Sequence, residues 1–288
     1  AANGLTRRTE IAPLYSPTVS DNTRAVGRHG TGRKRSAMLE LNATFFAIAG
    51  PAVAFSAMSK AGFGGGAGFA ASAILALYLT PGQALGIMLP MLMLIDVATL
   101  RPYWGTWSWR DARVLILGAV PGIALGAAFY TIAAPDLIRA MIGGLALIFV
   151  LWQLARRLGL VRVAGQGLPA PAGLAAGLVS GFTSFVSHAG GPPAAIYLLS
   201  QGLGKTAYQG TTVLVFWVIN IVKFAPYAWL GLFTAQTALA NLALAPFALA
   251  GVWIGVTAHR RIPETLFFGL TYVLLSLTGA KLIWDALT

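Results

Sequence analysis

Two short runs concentrate the residues equipped for chemistry: SKAGFGGGAGF, from Ser59 to Phe69, and SHAGGPPAAIY, from Ser187 to Tyr197. Each sets glycines ahead of an apolar segment too short to cross about 30 Å of hydrocarbon, 67–80 after the first and 192–201 after the second. A helix that starts at such a break presents unpaired amide N–H groups and a partial positive charge, and glycine lets a ligand come close to them. That is the chemistry of holding an anion rather than of making or breaking bonds. The candidate ligands are Lys60, Gly64, Gly65 and Gly66 in the first run, and Ser187, His188, Gly190 and Gly191 in the second. The competing reading is packing, because small residues also let membrane helices approach closely. Pro192 and Pro193 suit the first turn of a helix, where a missing N–H is harmless.

Further polar candidates lie in TTVLVFWVINIVKFAPYAWLG: Thr211, Thr212, Asn220 and Lys223, the last sharing a helix face with Asn220. Asp96 is the one acid inside an apolar segment. It is either a partner for Lys223 or a proton carrier, and with His188 it makes the pair of coupling candidates. A lone carboxylate provides no metal cluster and no paired-acid mechanism, and a chain without cysteine has no thiolate chemistry. GLGKT does not complete a phosphate-binding loop. The expectation is a protein that is not an enzyme and needs no cofactor or metal.

The elements that must position these residues are membrane helices. The chain has 288 residues, of which 57% are hydrophobic and 10% charged, against roughly 25% charged in soluble domains. Apolar stretches of helical length fall near 40–58, 83–100, 113–133, 137–155, 171–187, 207–230, 237–258 and 264–285, with the two short segments between them. The fold class is an all-α integral membrane protein, a polytopic bundle of about eight full spans plus two short broken or re-entrant helices, ten helical segments in all. Landmarks recur at a nearly constant offset: Gly65 and Gly190, Asp96 and Asn220, Pro102-Tyr103 and Pro226-Tyr227, Pro121 and Pro246, Gly126 and Gly251. This divides the chain into a basic tail (1–39), a first membrane repeat (40–155), a linker (156–170) and a second membrane repeat (171–288).

The net charge of +12 is mainly an end effect, since seven of the twenty basic residues precede the first apolar run. It signals topology and contact with lipid headgroups rather than nucleic acid. With that tail in the cytoplasm and 67–80 dipping in and returning, Arg101, Arg110, Arg113, Arg156, Arg157 and Arg162 are all cytoplasmic, while HRR at 259–261 falls outside, against the rule. RPYWGTWSWRDAR reads as an interfacial belt of aromatic and basic side chains.

The second glycine run with its continuation, SHAGGPPAAIYLLSQGLGKTAYQGTT followed by FWVINIVKFAPYAWLG, resembles the TauE/SafE sulfite exporter family of membrane permeases over roughly residues 40 to 287. The resemblance implies a multi-pass helical carrier of the bacterial inner membrane, with two related halves, moving sulfite, organosulfonates or similar small anions. Its paired glycine-rich segments fall on Gly64, Gly65 and Gly66 and on Gly190 and Gly191. Residues and resemblance together point to a secondary transporter with its site at the paired breaks. An anion channel is the alternative. The partners expected are a small anion and the lipid bilayer, with homo-oligomerisation left open.

Overall fold

A computed structural model describes residues 41–62, 68–161, 167–258 and 264–288, and it is all-helical there. Ten α-helices follow in order: α1 (Ala43–Gly62), α2 (Ala70–Tyr78), α3 (Pro81–Leu100), α4 (Trp109–Ile132), α5 (Pro135–Arg157), α6 (Ala170–Ser187), α7 (Gly191–Ser200), α8 (Lys205–Trp229), α9 (Ala235–Ala258) and α10 (Glu264–Leu287). Eight are long and apolar enough to cross a membrane, and α2 and α7 are the short pair. The chain is a polytopic helical membrane protein. Large apolar side chains such as Leu117, Leu151, Leu242, Trp253 and Leu277 lie exposed on the outer helix faces, where lipid takes the place of a protein core.

Local sequence sets the helix starts. Thr80 caps α3 through its hydroxyl on the Gln83 amide while the Gln83 side chain accepts from the Thr80 N–H, a reciprocal capping box. Ser108 caps α4 in the same position, and proline opens α3, α5 and α7 within their first turns.

Small residues fix which helices touch and in which direction they run. A β-carbon on Gly118 would meet the Leu174 carbonyl and one on Gly122 the Leu178 carbonyl, so α4 and α6 run parallel in backbone contact. In the same way Gly251 abuts Ala54 and Gly255 abuts Met58, which makes α9 parallel to α1. Gly86 on α3 abuts Leu232, just past the end of α8, and Gly210 near the start of α8 abuts Thr106, just past the end of α3, so these two are antiparallel. Gly143 on α5 packs on Gly279 and Leu282 of α10, and Gly279 on Leu147, again antiparallel.

Following these directions, the loop Arg101–Ser108, the end of α5 at Arg156 and Arg157, the starts of α6 and α8 and the end of α9 share one end of the bundle, called here the arginine end. The re-entrant elements are hairpins. The Gly167 N–H bonds the Ser200 carbonyl at 2.9 Å and the Leu168 N–H bonds the Ser200 hydroxyl at 3.2 Å, so α7 brings the chain back to where α6 began. Likewise α1 and α3 both start at the opposite end, with α2 as the return.

This changes the topology expected from the sequence. The basic loops do share one end, but α1 starts at the other, because the dip consists of α1 and α2 together rather than of 67–80 alone. The HRR segment at 259–261 lies outside the described residues, between helix ends that both belong to the arginine end.

Candidate functional site

The break between α6 and α7 is built around His188, which has φ +59°, the one non-glycine residue in the left-handed region among the described residues. It stops α6, and the chain turns back so that Gly190 packs on Ser180 and Ser184. Hydroxyls of α6 satisfy the carbonyls freed by the break: Ser180 donates to Gly190 O at 2.7 Å and Thr183 to Ala189 O at 3.2 Å. Ser72 on α2 donates to Ser187 O at 2.8 Å, joining the two breaks. On the α1 side the Ser56 hydroxyl donates to Gly68 O, the same device 124 residues earlier than Ser180. A hydroxyl one turn or two back along the helix is thus what makes broken backbone tolerable at this depth.

Three ionisable groups and one imidazole gather beside these breaks. Asp96, fully buried on α3, is paired with Lys60 of α1 and accepts from Asn220 Nδ2 of α8 at 2.6 Å. Lys223, also fully buried, places Nζ 3.0 Å from Ser184 O, from Ser184 Oγ and from His188 Nδ1. These three contacts can take all three N–H donors of an ammonium. With an ammonium there, Nδ1 of His188 accepts and the ring proton lies on Nε2, which faces Leu85 O at 3.4 Å. The Asp96–Lys223 pair expected from the repeat is therefore replaced: the carboxylate belongs to Lys60, and Lys223 is turned towards α6.

A cavity lies against this cluster, lined by Lys60, Ser184, His188, Gly191, Gln209, Thr212 and Asn220 among its polar and glycine residues, with Phe69, Leu92, Val213 and Phe216 as apolar wall. Of the residues singled out from sequence, Lys60, His188, Gly191, Thr212 and Asn220 face it. Gly190 packs on α6 instead, Ser187 donates to Thr183 O at 2.9 Å, and Thr211 accepts from the Ser108 N–H at 2.9 Å. Lys223 stands behind the wall. Gly64, Gly65 and Gly66 lie outside the described residues, and with them the expected approach of Gly65 to Gly190.

Two lining residues escape a reading by sequence. Gln209 donates to Lys60 O at 2.9 Å, tying α8 to the end of α1, although its place near the start of α8 suggests an interfacial residue. Ser184 looks like one more small packing residue of α6, and its only signal is that it lies four residues before His188, on the same helix face.

Away from the arginine end the space closes. Leu85, Met88 and Leu89 of α3 are fully buried, Gly86 lies against the Leu232 backbone, and the Tyr227 hydroxyl donates to Phe185 O at 2.5 Å beneath His188. No group of three or more metal-ligating side chains occurs among the described residues.

Neither curated proteins nor solved structures return a match to this chain. The model of the sulfite exporter TauE/SafE family matches residues 49–282, nearly the whole membrane portion. The all-helical bundle with eight membrane-length helices agrees with that match, and the chain belongs to the TauE/SafE sulfite exporter family of membrane transporters.

Proposed function

We propose that the protein is a secondary transporter for a small anion of the sulfite or organosulfonate type, held in the cavity between Lys60, His188, Ser184, Gln209, Thr212 and Asn220. The observation that carries this reading is the charge count beside the cavity. Two lysines, Lys60 and Lys223, face one carboxylate, Asp96, and the imidazole that accepts from Lys223 is neutral. One positive charge is left over in a region where charge is costly, and that excess favours an anion over a cation as the cargo. Lys60 spends one of its three N–H donors on Asp96 among the described residues, and the residue also lines the cavity. The family assignment is an independent support for the same substrate class.

The two halves of the chain, 40–155 and 171–288, act in this reading as inverted repeats. Exchanging α1 with α6, α3 with α8 and α4 with α9 turns the parallel pair α1–α9 into the parallel pair α6–α4, while α3 and α8 run in opposite directions. Inverted repeats with broken helices around a central site suit alternating access. The closure at Tyr227, Phe185, Gly86 and Leu232 favours a carrier over an open channel. The basic loops Arg101–Arg113 and Arg156–Arg157 favour a cytoplasmic arginine end, with α1 then starting on the external side and the cavity on the cytoplasmic side of the breaks.

The test is flux in proteoliposomes of the full chain, with sulfite, methanesulfonate, sulfate and acetate as separate probes. Saturable sulfite or methanesulfonate flux that Lys60→Gln weakens at least tenfold supports the reading. Flux of none of the four, or flux indifferent to Lys60, overturns it.

A further inference from the structure

We propose that Asp96 is a proton site, and that anion and proton are taken up together because both compete for one ion pair. The inference rests on the anion-site reading above and adds the identity of the second ligand.

Lys60 has two roles in the structure. It borders the cavity, and it is the cationic partner of a carboxylate that does not itself border the cavity. Asp96 has few other supports. Asn220 donates to Oδ2, and Lys223, on the same helix as Asn220, acts from further away while its own donors point at Ser184 and His188. Helices α2, α5 and α9 also pack on α3, and α9 carries no titratable side chain between Ala235 and Ala258. No charged group on these three helices acts on Asp96 among the described residues.

An anion that draws the Lys60 ammonium towards the cavity removes the one ion-pair partner that a fully buried carboxylate has among the described residues. A buried carboxylate without its cation is strongly disfavoured, and taking a proton from water onto the oxygen Lys60 has left removes the charge. The balance closes: the Lys60–Asp96 pair plus one monovalent anion and one proton becomes a Lys60–anion pair plus a neutral carboxylic acid. The occupied site then carries the same net charge as the empty one, so crossing the membrane with cargo moves no more charge than crossing without it.

His188 is less suited to this role, although it is the group nearest physiological titration in the abstract. Its Nδ1 faces a lysine N–H at 3.0 Å, and a proton there would set two donors against each other. Asp96 meets no such obstacle once Lys60 is drawn away.

The experiment uses the purified full chain and methanesulfonate, whose own charge is constant through neutral pH, unlike that of sulfite. Three quantities are read: affinity against pH, protons taken up per anion in weak buffer, and the infrared difference spectrum on adding the anion. One proton is expected per anion. The dissociation constant should rise about tenfold per pH unit once Asp96 is ionised in the empty protein, and a carboxylic-acid C=O band should appear on binding. Asp96→Asn should still bind methanesulfonate, with neither proton uptake nor pH slope. If that variant does not reach the membrane, the wild-type infrared band alone decides. Anion binding without proton uptake, without pH slope and without the band overturns the proton site and leaves the anion site standing. A pH slope retained in Asp96→Asn overturns Asp96 as its origin. Failure of both methanesulfonate and sulfite to bind at every pH overturns the anion site, and the proton site with it.

Discussion

Asp96 Oδ2 accepts a 2.6 Å hydrogen bond from Asn220 Nδ2, and the two residues are 124 apart, within one residue of the spacing between the other paired landmarks of the sequence. Residues at corresponding positions touch each other only near the axis that relates their repeats. If the halves are the inverted repeats proposed above, the carboxylate of the site sits close to that axis, with its neutral counterpart opposite.

Exchanging the two residues tests this placement. Asp96→Asn alone leaves Lys60 buried without its partner, a loss of about 3–5 kcal/mol for a broken buried pair. Adding Asn220→Asp returns a carboxylate within a few ångströms, so the double variant should recover part of the thermal stability lost in the single one. A double variant less stable than both single ones would place the two residues apart from any common axis.

Orientation can be read by labelling, since the chain has no cysteine of its own. Cysteines introduced at Gly105 or Gly159, at the arginine end, should react with an impermeant maleimide only after the cells are opened. Cysteines at Ala134 or Thr288, at the opposite end, should react in intact cells. The reverse pattern would put the cavity on the external side of the breaks.

Lys60 and Lys223 should differ in kind. Lys60→Gln removes a charged contact to the anion and should weaken binding about 10- to 100-fold. Lys223→Gln removes the donor to His188 Nδ1 and frees the imidazole to turn, so its effect should be smaller and should shrink further in a His188→Gln background. Equal and additive losses would mean that both lysines touch the anion. Titration calorimetry with methanesulfonate separates the cases.

His188 serves the backbone as well as the site. A left-handed conformation costs a side chain about 1–2 kcal/mol, so His188→Gly should keep or raise the melting temperature while transport falls. His188→Val, with a branched β-carbon at φ +59°, should lower it. Variants of equal stability would show that the turn does not depend on this residue.

The helices were legible because their signal is length and apolarity, and these depend on the solvent rather than on neighbours. The breaks were legible too, since His188, Gly190 and Pro192 interrupt an apolar run in plain view. Partnership within the site was not. Asp96 and Lys60 are 36 residues apart, and their meeting depends on α1 and α2 forming a hairpin, a geometry with no local signature. The offset made Asp96 and Lys223 look like the natural pair, whereas the repeat relates Asp96 to Asn220 and the structure brings those two into contact. Gln209 and Ser184 were hidden because each is ordinary for its helix and gains its role only from what packs opposite.

The two long helices beside the cavity, α3 and α8, are chemically lopsided. At the offset of 124, Gln209, Thr212, Val213 and Phe216 correspond to Leu85, Met88, Leu89 and Leu92, so the polar members of one helix answer to hydrocarbon and thioether on the other. In the transporter proposed above, an ion leaving towards the arginine end would keep amide and hydroxyl partners as it regains water, whereas one leaving the other way would have to shed its contacts before its hydration shell is restored. The two exits would then present barriers of different height to the same cargo. Vesicles of fixed orientation would show unequal half-saturation on their two faces, while the equilibrium distribution, set by the gradients alone, stays the same: the asymmetry governs how fast each direction runs, and not where transport stops.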